Sequence, residues 1–257
     1  MVFNYTKKEL RNLLITVIIL TFVFAFDDGR DTFILANWLT NFIKVFFIIS
    51  VGIIIHDLGH DFMAKKHGFN SEFKLWGVKR FNFGGKPQFP RNVKLFGRQF
   101  RIDSLPIGAM LAILVTFFSN GQLYWAAVSS YSLVTIKSHR LGRRFVEITD
   151  FEEAKLAIAG PLALTLAIII LKLFNSTEIF DLPIFIYSVI TIYDMLPLPG
   201  LDGFKAFAGS IPLYISGFAF IISTILFVHY LNAVFALLLA ILIAIVFGGA
   251  AIYKLHR

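Results

Sequence analysis

The sequence contains no cysteine, which excludes disulfides, thiolate metal sites and a cysteine nucleophile, so any metal ion must be held by nitrogen and oxygen. Charge is scarce as well. Only 16% of the 257 residues are Asp, Glu, Lys or Arg, against 57% hydrophobic and 30 Phe, which excludes one water-soluble domain. Apolar runs recur at residues 13–26, 45–55, 156–171 and 182–198, and almost without a break from 211 to 252. They predict an all-α polytopic membrane protein, a single integral domain over residues 1–257 with about six transmembrane helices. The first run is followed by Ala25-Phe26-Asp27-Asp28, which has no small-x-small cleavage pattern, so it is expected to stay as a span. The net charge of +8 lies in blocks between apolar runs, where orientation in a bilayer accounts for it; no nucleic-acid partner is expected.

The blocks also set a topology. Residues 61–104 hold ten Lys and Arg against three acids, and Lys137, Arg140, Arg143 and Arg144 form a second basic block. Residues 27–31 and 175–181 lack such an excess and read as external. Basic loops face the cytoplasm, so both termini are expected there, in the cell membrane. Between the basic blocks, residues 105–136 are apolar but broken by Ser119-Asn120-Gly121-Gln122, and each half is short for the roughly 20 residues of a spanning helix. The first half reads as a re-entrant helix and the second, rich in aromatic and β-branched residues, as a strand. Residues 73–102, with Gly84-Gly85 between two aromatic-rich arms, read as a β-hairpin. The expected organisation is a core over residues 45–205, with spans at 45–66, 154–174 and 182–200, carrying a 73–136 hairpin and helix-strand insert on the cytoplasmic side. Lys44, about 18 Å along the helix from His56, is expected to snorkel outward, with residues 32–43 along the interface. Thr149 to Glu153 has the composition of a capped helix start, and Ala159-Gly160-Pro161 inside that helix points to a kink or a close helix contact.

At the end of the second span stands His56-Asp57-Leu58-Gly59-His60. A four-residue spacing on a helix places both imidazoles on one face, able to reach a single ion. Asp57 lies about 100° round the helix, where a carboxylate can take a proton from water activated by the metal. Two histidines four apart also occur by chance, but three ionisable groups on one short stretch at membrane depth are costly and point to function. Asp202, within Pro197-Leu198-Pro199-Gly200-Leu201-Asp202-Gly203 at the inner end of the fourth span, is either an interfacial Asp at a loop start or a third ligand. Its depth, matching that of the histidines, favours the ligand. His67, Asp61 and His139 are read as loop or surface residues.

These residues resemble the site-2 protease family of intramembrane zinc metalloproteases, especially its compact archaeal members. That family pairs His-Glu-x-x-His with Asn-x-x-Pro-x-x-x-Leu-Asp-Gly; the second matches at Pro197, Leu201, Asp202 and Gly203, and Ala64-Lys65-Lys66-His67-Gly68 and Ala159-Gly160-Pro161-Leu162 are similar to its flanking segments. The resemblance spans residues 45–205. It implies one Zn2+ on His56, His60 and Asp202, and hydrolysis of a peptide bond in or next to a transmembrane helix of a protein substrate. Two departures fall at chemical positions. Asp57 stands where the family has its glutamate base, and Asp194 stands where it has an asparagine that donates to the scissile carbonyl; a protonated Asp194 can still donate. Leu164 replaces a frequent Asn.

Three other functions fit parts of the pattern. One is a zinc-binding relative with attenuated or no turnover. Another is an ion transporter, against which stand the lack of an inverted repeat and the confinement of polar groups to one depth. The third is a membrane binder that grips extended segments through residues 73–102. No feature of the chain specifies an oligomeric state.

Overall fold

The structure is a computed structural model that describes residues 5–30, 32–79, 89–95, 98–135 and 148–255. Eight helices are present among them. Helix α1 (Lys7–Ala25) starts at a capping box between Thr6 and Glu9, and α2 (Leu35–Lys66) runs unbroken for 32 residues. Residues 35–43 therefore continue the second helix. No proline interrupts this stretch, so the backbone ladder propagates through Lys44. Among the described residues four helices are long and apolar enough to cross a membrane: α2, α4 (Asp150–Leu173), α7 (Ile211–Tyr230) and α8 (Ala233–Leu255).

Helix α4 opens with the expected capping box, Thr149 accepting from the Glu152 amide while the Glu152 carboxylate accepts from the Thr149 amide. Its Ala159-Gly160-Pro161 stretch makes the close helix contact. A Cβ on Gly59 of α2 would run into the Ala159 carbonyl, so only glycine lets the two helices approach there. Leu164, where the family resemblance leads one to look for a polar group, is fully buried apolar core.

The fourth predicted span is shorter than expected. Helix α5 (Asp181–Asp194) has 14 residues and stops before Pro197, and α6 (Asp202–Gly209) begins at Asp202. Pro197 and Pro199 remove amide donors, and Pro197 disfavours helical geometry at Leu196, so the chain turns. The 182–200 span is thus a 14-residue helix and a turn, and Asp202 starts a new helix where the sequence suggested it ended the old one.

The insert is also wired differently from the sequence-based picture. Strand β1 (Phe69–Leu75) pairs antiparallel with β4 (Ser129–Thr135), Phe73 opposite Tyr131, while β2 (Arg91–Leu95) and β3 (Arg98–Ile102) form their own hairpin. The expected 73–102 hairpin is therefore split: its first arm joins the end of the insert, and its second folds on itself. Phe69, Phe73 and Tyr131 are all buried, so the β1–β4 pairing closes an apolar face that local turn signals do not reveal. Gly84-Gly85 and the basic block at 137–144 lie outside the described residues. Helix α3 (Ile107–Phe118) leaves and returns at one end: Val78 bridges Leu105, and Trp76 donates to the carbonyl of Val128.

Candidate metal centre

Three segments converge on one point. Helix α2 brings His56, Asp57 and His60, the last residue of α5 is Asp194, and the first of α6 is Asp202. None of these five is more than 4% exposed. Asp202 Oδ2 lies 2.9 Å from His60 Nε2 and 3.4 Å from His56 Nε2, and Asp194 Oδ2 lies 3.1 Å from His56 Nε2. His56, His60, Asp194 and Asp202 are therefore in one buried cluster, and Asp57, buried beside them on α2, pairs with Tyr5.

The packing behind the histidines is tight. Gly160 sits against the His60 ring so closely that a Cβ there would overlap it, and on another side the ring stacks on Tyr131 with centroids 4.3 Å apart. His60 Nδ1 lies 2.8 Å from the carbonyl of Leu156 and donates to it, and Nε2 is directed at Asp202 Oδ2.

The 2.9 Å contact between Nε2 and Oδ2 is satisfied by a proton on the ring or by a metal ion bound to both atoms. Around His56 polar groups lack partners: Nδ1 of His56 and Oδ1 of Asp202 are buried without hydrogen bonds, and Nε2 of His56 lies close to both carboxylates without hydrogen-bond alignment. Each such orphan typically costs about 1–3 kcal/mol. The ligand atoms of His56, His60 and Asp202 all lie within 4.8 Å of one another, and this is the group able to hold a metal among the described residues. Tetrahedral zinc with bonds of about 2.0–2.1 Å needs ligand atoms roughly 3.3 Å apart, close to the two distances measured from Asp202. Two imidazoles and a carboxylate on one ion match the three-ligand sets of catalytic zinc sites, whose fourth position stays open.

Comparison with known proteins agrees in kind. Over 219 residues the chain is 25% identical to a Methanocaldococcus jannaschii protein named "Putative zinc metalloprotease", covering 79% of this chain and 85% of that one. The resemblance is to a metalloprotease. No protein-family model and no solved structure matches.

Several neighbours of the cluster carry no sequence signal. Tyr5, just ahead of α1, donates from its hydroxyl to Asp57 Oδ2 at 2.8 Å, across 52 residues. Burial, and after it the Asp57 carboxylate, hold the Tyr5 phenol well above its usual pKa. Tyr131 and Lys205 complete the surroundings of His60. Lys205 alone was foreseeable, as an ionisable residue three positions after Asp202 and so on the same side of a helix. His67 and Asp61 are engaged elsewhere: His67 Nδ1 lies 3.3 Å from Glu152 Oε1, and Asp61 pairs with Lys65.

Proposed function

We propose that this chain is an intramembrane zinc metalloprotease of the site-2 protease type, hydrolysing a peptide bond within or beside a transmembrane helix of a membrane-protein substrate. The observation that carries this reading is the meeting of Asp202 with His56 and His60 in a buried cluster, short of hydrogen bonds and at the spacing one zinc ion requires. Similarity to a protein named as a zinc metalloprotease supports it. A single ion on His56, His60 and Asp202 would supply the Lewis acidity that activates water and polarises the scissile carbonyl.

The chain's own groups then have distinct tasks. Asp57 accepts the proton of the attacking water, with the Tyr5 hydroxyl fixing one of its two oxygens so that the other is free for that transfer. Asp194, in its protonated form, donates to the carbonyl oxygen as negative charge develops there. The low exposure of the cluster keeps bulk water from competing. The proposed topology has six spans, α1, α2, α4, α5, α7 and α8, in the cell membrane, with both termini on the cytoplasmic side that the basic 61–104 segment marks.

The test is cleavage of a membrane-helix reporter by the purified, zinc-loaded protein, beside His56→Ala and Asp57→Glu. Cleavage lost in His56→Ala supports the protease. One observation favours a second reading, a zinc-binding relative with little turnover: Asp194 reaches His56 as closely as Asp202 does, and a carboxylate there can occupy the fourth position of the ion and close the site. Stoichiometric zinc with no cleavage by any of the three proteins would establish that alternative.

A further inference from the structure

The segment that delivers Asp202 is gripped by the β1–β4 sheet on both sides of that residue. Trp76, which follows β1, donates from Nε1 to the carbonyl of Pro199 at 2.9 Å, and Ser130 Oγ of β4 donates to the carbonyl of Gly200 at 2.5 Å. Beyond Asp202, Lys205 Nζ donates to the carbonyl of Tyr131 at 2.6 Å. These bonds fix the approach to α6 and its first turn, and thereby the carboxylate carried at its first residue.

Lys205 is also linked to His60, through the Tyr131 ring. Its Nζ lies 3.4 Å from the centre of the Tyr131 ring, and the His60 ring stacks on the same ring at 4.3 Å with an interplanar angle of 29°. Groups that close to one ring cannot share a face. Tyr131 is therefore held between the ammonium of Lys205 and the imidazole of His60, a cation–π contact on one side and a stack on the other.

We infer that Lys205 is a positioning residue of the metal centre: it sets the plane of His60 through the Tyr131 ring and the location of Asp202 through the Tyr131 carbonyl, and so sets the affinity for zinc. This rests on the zinc-site reading proposed above. Partners that orient metal ligands typically change metal affinity 10–100-fold when removed.

A staple that merely joined sheet to helix would instead alter stability equally with and without metal. The full-length protein in detergent or nanodiscs separates the two, using zinc affinity by competition with a chromophoric chelator and Tm measured metal-free and zinc-loaded. Lys205→Met is expected to weaken zinc binding by about 10–100-fold, and to lower the zinc-loaded Tm more than the metal-free Tm, which itself falls because the Tyr131 carbonyl loses its donor. Lys205→Arg, which keeps the charge, recovers part of the affinity. Tyr131→Leu, which removes the ring and keeps the carbonyl, weakens binding as well and carries the test if Lys205→Met does not fold. Wild-type zinc affinity in Lys205→Met, or in Tyr131→Leu where it stands in, overturns the inference, as does an equal loss of Tm in the metal-free and loaded states. A wild-type protein that binds no zinc removes the underlying reading and the inference with it.

Discussion

The Nδ1 of His60 donates to the carbonyl of Leu156, 96 positions along the chain, and this one hydrogen bond leaves Nε2 as the nitrogen that faces the candidate metal centre. Leu156 belongs to the first turns of α4, where a carbonyl would ordinarily accept from an amide four residues on. Helix α4 is thus more than a wall behind α2. It supplies the outer hydrogen bond that sets the tautomer of a proposed ligand, while Gly160 of the same helix provides the hollow in which the ring lies.

Gly160→Ala is therefore predicted to displace His60. The added methyl would overlap the imidazole, and the stack on Tyr131 leaves the ring little room to retreat. Overpacking of this kind costs about 1–3 kcal/mol. The expected outcome is a protein that still folds, with a lowered Tm and weakened zinc binding, measured by competition with a chelator. Zinc affinity equal to wild type would show that the ring has another place to go.

Removing the metal should loosen the α2–α5–α6 junction. Without a cation, His60 Nε2 faces the Asp202 carboxylate at 2.9 Å and the orphaned groups of His56 and Asp202 stay unpaired. A ligand at a hundred times its Kd adds about 2.7 kcal/mol to the stability of the state that binds it. Chelation is expected to lower Tm accordingly, with zinc restoring it, and His60→Ala is expected to abolish the response.

Tyr5→Phe tests the link between the start of the chain and Asp57. The substitution removes the hydroxyl that donates to Asp57 Oδ2 and leaves the ring. A hydrogen bond to a charged group contributes roughly 1.5–3 kcal/mol, and if only part of that is expressed in the transition state, kcat should fall about tenfold with KM and zinc content unchanged. Steady-state cleavage of the reporter measures this. An unchanged kcat would mean that Asp57 holds its orientation without Tyr5.

What could be read from the sequence divides by the range of the interaction. The His56–His60 pair and the cap at Thr149 are written within a few residues, whereas Pro197 and Pro199 announced a break without showing that the helix already ends at Asp194. Asp202 was legible because its depth could be matched to that of the histidines, even though 142 residues separate it from His60. The pairing of β1 with β4 was not, since Phe73 and Tyr131 each look like ordinary strand residues until the two are opposed. Tyr5 left no trace either: one aromatic ahead of a helix specifies no partner 52 residues away. The unbroken α2 was obscured by Lys44, a charge that a long helix tolerates by extending its side chain toward the interface.

Asp194 is where the two functional readings separate. Its carboxylate is fully buried, with Oδ2 3.1 Å from His56 Nε2 but without hydrogen-bond alignment, so it acts either as a protonated donor to substrate or as a further ligand that closes the zinc site. Asp194→Asn has nearly the same shape, cannot ionise and keeps an N–H donor. If Asp194 is a donor, the amide performs the same task, and kcat stays within about tenfold of wild type, since one oxyanion donor is worth 10²–10³ only when lost altogether. If Asp194 is a ligand, the weaker amide oxygen opens the fourth position, so zinc binding falls and cleavage rises from a low base. Measuring kcat and zinc affinity together on Asp194→Asn and Asp194→Ala separates these cases, because Asp194→Ala abolishes the donor in the first and opens the site in the second. The proposed protease requires the first pattern: activity retained in Asp194→Asn and lost in Asp194→Ala at constant zinc content.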